Sequence, residues 1–400
     1  MKIIEEDKNG ILFDPVSLPC GVVLKNRIVK SAMSDSLGDG CGDPTDAQMR
    51  LYERWADGGV AASIIGEVQG SPDYAEKPGN LVLHSGSSQK RFKSLARKGA
   101  AMGAQLWLQL GHAGAMAHPP ISSPKGPSDI DIPGLQCTAL SIDEIRDLPR
   151  EFADTARLAQ ALGFGGVQIH AAHGFLLSQF LSPLFNKRTD DYGGSALSRM
   201  RLLLEVVDEV CNAVDPPFAV GVKLNSTDQL DDGFEERAAL EVISALDGTG
   251  IDFIDISGGT YFPGAKSSSD STGSGPYFAD FASHARKKTS KPIMVTGGFK
   301  TKQQAVDAIS IGDIDMVGIA RALVIDPSLP ESWRGRQAID PVFPRFNSLP
   351  EGGVTAWYTM RLTELAGGQK MNEDLSLEKI LAEYNERDEA RVRKWKNHFT

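Results

Sequence analysis

The 400-residue sequence predicts an α/β fold, a single (β/α)8 barrel, from three observations. Apolar, β-branched runs recur along the chain eight times. Each run is followed by a glycine-rich or polar loop, and then by a stretch with apolar residues at three- and four-residue spacing. No GxGxxG follows the first run, which weakens the open dinucleotide-binding alternative. Continuous apolar strands alternating with helices imply a parallel sheet clad in helices. Eight such units in about 300 residues suit a closed barrel better than an open doubly wound sheet.

In chain order, ILFDPVSLPCGVVLKN reads as a hairpin that plugs the barrel floor. The strands follow as NRIVKSAM (26–33), AASIIGE (61–67), AQLWLQL (104–110), GVQIH (166–170), FAVGVKL (218–224), IDFIDIS (251–257), PIMVT (292–296) and DMVGIA (315–320). Among the helices, SIDEIRDLPREFADTARLAQALG is amphipathic, and Ser141 three residues before Glu144 gives it a capping-box start. Glu235 and Glu236 suit the first turn of another helix, where the dipole favours negative charge. No ninth unit follows, and LEKILAEYNERDEARVRKW reads as a charged surface helix. The expected division is a barrel over residues 1–340 and a partly helical extension over 341–400 that is not an independent domain.

Bulk properties narrow the function. A net charge of −10 opposes nucleic-acid binding, which needs clustered Lys and Arg. The four cysteines, Cys20, Cys41, Cys137 and Cys211, have no metal-ligand spacing, which suits a reducing cytoplasm. The acidic N-terminus has no signal-peptide core. No apolar run approaches the ~18 residues of a membrane span. A soluble cytoplasmic protein, with self-association left open, is the expectation.

Barrel enzymes build their sites where strands end. Met33, Ser34, Glu67, Gln109, His112, His170, His173, Lys223 and Ser257 gather there. Lys223 needs an anionic partner if buried; nothing acidic adjoins it in sequence, and a lysine reaching solvent is the alternative. TGGF (296–299) and VGIARAL (317–323) close strands seven and eight, where barrels commonly bind phosphate, although such glycines also serve plain turns. The stretch IHAAHGFLLSQFLSP sets His170 and His173 three residues apart. A metal site, an acid–base pair, a carbonyl anchor and plain packing are all open to such a pair. Zinc needs third and fourth ligands, for which only His112 and Glu67 offer themselves, so no metal is expected.

These pieces resemble the old yellow enzyme group of FMN-dependent ene-reductases. The likeness is densest in IHAAHGFLLSQFLSPLFNKRTDDYGGS (169–195) and extends through NRIVKSAMS, WLQLGHAG, VGVKLNS, VTGGF and GIARAL. It implies a barrel holding non-covalent FMN at its mouth. Ala32 and Met33, beside Ser31 and Ser34, would line the flavin, and Val68 would meet its edge. Gln109 would bond the pyrimidine end and Lys223 the N1–C2 region. Gly297, Gly298, Ala320 and Arg321 would take the phosphate through a buried charged contact. His170 and His173 would grip a carbonyl or nitro oxygen, polarising an electron-poor alkene for hydride that comes from NADH or NADPH by way of flavin N5. Phe175 departs from the group, in which a tyrosine often donates a proton at that position; Tyr261 is the candidate substitute. Ser34 departs too, replacing a cysteine or threonine. Oxidation of amines by the same flavin is the alternative function, and a flavin-binding protein without chemistry is a weaker third.

Overall fold

The computed structural model describes residues 8–399, apart from 263, 264, 266–274, 336, 337, 347–349 and 370–375. The barrel strands are β1 (Ile28–Ser34), β2 (Ala62–Gln69), β3 (Gln105–Leu110), β4 (Gly166–Ala171), β5 (Ala219–Asn225), β6 (Phe253–Ser257), β7 (Ile293–Thr296) and β8 (Met316–Ile319). Each pairs in parallel with the next, and β8 returns to β1, closing the ring. The helices that follow them in turn are α1 (Asp46–Asp57), α2 (Gln89–Gly99), α3 (Ile142–Ala161), α4 (Ala196–Ala213), α5 (Glu236–Asp247), α6 (Ala279–Arg286), α7 (Lys302–Ser310) and α8 (Arg321–Ile325). The Ser141–Glu144 capping box is present in both directions, and Glu236 occupies the first turn of α5.

Alternate strand residues face opposite sides, which divides the barrel interior into layers. At the floor, Val29, Ala62, Ile64, Trp107, Ala219, Phe253, Met294 and Met316 form one buried apolar cluster with Val16, Leu18, Val22 and Leu24 of the N-terminal hairpin. The hairpin is pinned there, because Cys20 N donates to Asp252 Oδ1 at 2.7 Å. Above this layer the interior becomes polar, so functional groups are confined to the mouth. The outward-facing strand residues join the helices in a second, larger core.

Two further helices, α9 (Gly353–Gly367) and α10 (Leu377–Phe399), lie against the barrel. Arg54 and Arg50 of α1 donate to Leu365 O and Ala366 O at 2.9 Å, satisfying carbonyls at the end of α9. The expectation of a surface helix at the C-terminus is corrected along one stripe of α10. Leu377, Ile380 and Trp395 are buried, and Trp395 packs on Ala75 and Val82 beside the mouth. Arg391 of α10 donates to Ser36 O at 2.7 Å, just past β1. Charge on most of the helix hid the few residues that dock it. Among the described residues no helix is long and apolar enough to cross a membrane.

Candidate active site

The polar layer centres on Asp255 of β6. Its Oδ2 accepts from Lys223 Nζ at 2.7 Å and Gln168 Nε2 at 2.9 Å, and its Oδ1 accepts from Thr296 Oγ1 at 2.6 Å. Thr296 has one hydroxyl proton, so Ser31 must donate across the 2.7 Å that separates their oxygens. On the other side Gln168 Oε1 accepts from Gln109 Nε2 at 2.8 Å. Gly318 of β8 lies between the strands bearing Thr296 and Ser31, and a Cβ there would come within 2.1 Å of Thr296 Oγ1. The buried anion that Lys223 requires is therefore in the protein, one strand away and 32 residues on. Adjacency in sequence could not reveal it.

Above Asp255, a second chain of contacts crosses the mouth. Glu67 Oε1 bonds His170 Nδ1, His170 Nε2 bonds His173 Nδ1 at 3.0 Å, and His173 Nε2 bonds Ser257 Oγ at 2.9 Å. A turn brings the imidazoles together: β4 ends at Ala171, and His173 takes a left-handed φ of 61°. Glu67 lies against Gly111, where a Cβ would come within 1.9 Å of its Oε2. Burial holds the Glu67 carboxyl above its usual range and His170 below its own, with the Lys223 charge adding to the second shift. His173 is lowered well below the usual range by burial, then by His170 and Lys223. All three therefore favour neutral forms. All four ring nitrogens of the pair are engaged within the chain.

The other expected residues divide into those the fold brings together and those it sets apart. Phe175 is buried with its ring centroid 4.8 Å from that of His170, and Tyr261 lies 5.6 Å from His173 and 6.1 Å from Phe175. Ser31, Ala32, Met33 and Ser34 end β1, Val68 is near the end of β2, and Gln109 is near the end of β3. Gly297 and Gly298 follow β7 with φ of 123° and 84°, and Ala320 precedes α8. Arg321, the first residue of α8, is exposed, and its guanidinium lies 5.2 Å from the Tyr358 ring centroid on α9. His112 is not part of a histidine cluster; it stacks on Tyr74 at 3.9 Å and its Nδ1 accepts from Gly114 N. Among the described residues no three His, Cys, Asp or Glu side chains converge as a metal site. Most of the loop GGTYFPGAKSSSDSTGSG lies outside the described residues.

Sequence reading placed Glu67 and Ser257 at strand ends without assigning their partners, and missed Asp255, Gln168 and Thr296. Strand alternation carried the missed signal. Gln168, Asp255 and Thr296 share the inward face with His170, Ser257 and Met294, and polar residues on an inward face demand partners.

The mouth suits FMN on its own geometry. The β1–β2 ladder shifts register between Lys30 and Met33, and the β2–β3 ladder between Ile65 and Val68, releasing backbone groups at the rim. The Gln109 carbonyl faces the same wall, where a Cβ on Gly66 would come within 3.1 Å of Gln109 Oε1, Ala32 Cβ and Met33 N. An amide, backbone donors and acceptors, a buried lysine and an exposed arginine at the β8 end match a planar polar ring that carries a distant phosphate. The family model for the NADH:flavin oxidoreductase / NADH oxidase family matches residues 11–337. The chain is 35% identical over 354 residues to the NADH-dependent flavin oxidoreductase iliE of Hypocrea jecorina, covering 80% of this chain and 87% of that one. It is 32% identical to the NADPH dehydrogenase of Bacillus pumilus, covering 80% and 93% respectively. Its fold superposes on the old yellow enzyme homologue from Zymomonas mobilis with a TM-score of 0.72 at 23% identity, covering 87% of this chain and 98% of that one. The chain belongs to the NADH:flavin oxidoreductase / NADH oxidase family, the old yellow enzyme group, and is an oxidoreductase that uses FMN and NAD(P)H.

Proposed function

We propose that the protein reduces electron-poor alkenes, α,β-unsaturated carbonyl compounds first and nitro compounds second, at the mouth formed by β1 to β8. The observation that carries this reading is the His170–His173 pair, held between Glu67 and Ser257 beside Phe175 and Tyr261. FMN, when bound, passes hydride from the nicotinamide to the alkene. Ser31 to Ser34, Val68 and Gln109 would hold its ring, with Lys223 beneath, and Gly297, Gly298, Ala320 and Arg321 its phosphate. His173, half-buried where His170 is buried, keeps its bond to Ser257, whose hydroxyl would meet a substrate oxygen at the open end of the chain. Such a bond to a polarised oxygen contributes roughly 1.5–3 kcal/mol.

Phe175 favours a second reading, oxidation of an amine, because that direction needs no proton delivered to carbon. The two are separated by reducing the holoenzyme anaerobically with NADH and with NADPH, then offering enones, nitro compounds and amines. Rapid reoxidation by enones is expected. Reoxidation by none of them, together with reduction of the oxidised enzyme by amines, would reverse the assignment.

A further inference from the structure

The Glu67–His170–His173–Ser257 chain can be wired in two ways. A neutral imidazole has one N–H and one lone pair. If the Glu67 carboxyl is protonated it donates to His170 Nδ1, which places the His170 proton on Nε2, facing His173 Nδ1. The His173 proton is then on Nε2, facing Ser257 Oγ, and the Ser257 hydroxyl hydrogen is free. If Glu67 is a carboxylate, each bond reverses, and Ser257 turns its hydrogen toward His173. A mixed arrangement would set two N–H groups, or two lone pairs, against each other at about 3 Å, and a buried polar contact of that kind is costly.

We propose that Glu67 is a positioning residue whose proton sets the direction of this chain, and so decides whether Ser257 presents a donor or an acceptor to the substrate. This deepens the ene-reductase reading and rests on it for its catalytic consequence. Glu67 and His170 are 3% exposed, and among the described residues no lysine or arginine pairs with the Glu67 carboxyl. Gln69 Nε2 touches its second oxygen at 3.4 Å. The titratable groups acting around the chain are His170 from β4, Glu76 from the loop after β2 and Tyr261 from the loop after β6, while Lys223 and Asp255 act on His170 from β5 and β6.

The chain also supplies what the Phe175 ring lacks. As the substrate carbon beside the carbonyl takes a proton from Ser257 Oγ, Oγ takes one from His173 Nε2. His173 Nδ1 takes one from His170 Nε2, and His170 Nδ1 takes the carboxyl proton of Glu67. One O–H bond is broken at Glu67 and one C–H bond is formed, with the electron pair coming from the enolate left by hydride addition. Both imidazoles exchange tautomers and remain neutral. Glu67 ends as a carboxylate, and water returns its proton after product leaves.

The test is nitrogen-15 NMR of histidine-labelled, FMN-loaded protein across pH 6 to 10, with Glu67→Gln, Glu67→Asp and Ser257→Ala alongside. In the wild type both rings should read as Nε2–H tautomers near neutral pH and switch together to Nδ1–H as pH rises. The joint switch should vanish in Glu67→Gln, return in Glu67→Asp and persist in Ser257→Ala. Glu67→Gln should also slow enone-driven reoxidation roughly 10²-fold and erase its alkaline limb, with FMN content unchanged. Separate titration of the two rings, an imidazolium at pH 7, or a switch that survives in Glu67→Gln would overturn the proposal. If Glu67→Gln does not fold, the wild-type and Ser257→Ala titrations decide it. A joint switch in an enzyme inert to enones would leave the wiring intact and remove the ene-reductase reading instead.

Discussion

At the scale of single residues, Phe175 stands where the resemblance to the group implies a tyrosine. Its ring lies against His170, so the position belongs to the site although the ring has no proton to give. Phe175→Tyr should speed enone reduction several-fold, and by more in a Glu67→Gln background, because a positioned acid contributes roughly 10²–10⁴-fold where the relay through Ser257 is cut. Stopped-flow reoxidation measures this directly. Tyr261→Phe is the control, since a large loss there would make Tyr261 the substitute acid. Residue types at strand ends made His170, His173, Gln109 and Lys223 legible in the sequence. Their partners were not, because Asp255, Glu67 and Ser257 reach them from other strands. A strand's own sequence says which side a residue faces and nothing about what stands opposite.

The elements differ in how much of themselves they declared. The eight strands and the capped helices follow from periodicity and caps, and the described boundaries agree with those signals within a few residues. The last helix did not declare itself, because three docking residues are a faint stripe among many charges. We propose that residues 341–400 are an extension that does not fold alone. Trp395→Ala should cost about 3–5 kcal/mol, as truncation of a buried tryptophan does, read by urea unfolding. It should also loosen the Ala75–Val82 segment beside the mouth. At the other end of the phosphate side, Arg321→Ala should weaken FMN retention measured by release on dilution, while Arg321→Lys should restore part of it. A loss of about tenfold, roughly 1.4 kcal/mol, is anticipated for removal of one charged contact to phosphate.

For the whole molecule, acid should act through histidines held neutral in the core. Burial pulls His112 down to about 3 from an ordinary 6.5. Between those values the unfolded chain holds a proton that the folded chain lacks, so stability is present above 6.5 and is lost as pH falls toward 3. Each unit in that window costs up to roughly 1.4 kcal/mol per such histidine. His112→Asn keeps an acceptor for Gly114 N and removes the titration. Between pH 6.5 and 4.5 the variant should lose about 2 kcal/mol less stability than the wild type, read by urea unfolding at both pH values.

The network centred on Asp255 has a mechanical meaning as well as a chemical one. Through Ser31, Gln109, Gln168, Lys223 and Thr296 it ties β1, β3, β4, β5, β6 and β7 by side chains alone. It works as a hoop drawn round the staves, so the rim of the barrel cannot spread at one seam without straining the others. Local opening should therefore be suppressed in favour of opening all at once. Asp255→Asn cuts the hoop at its knot: hydrogen exchange should then resolve into separate rates for the strand ends it joined, where the intact protein shows one shared, slower rate. Unchanged exchange in that variant would mean that the backbone ladders alone hold the rim.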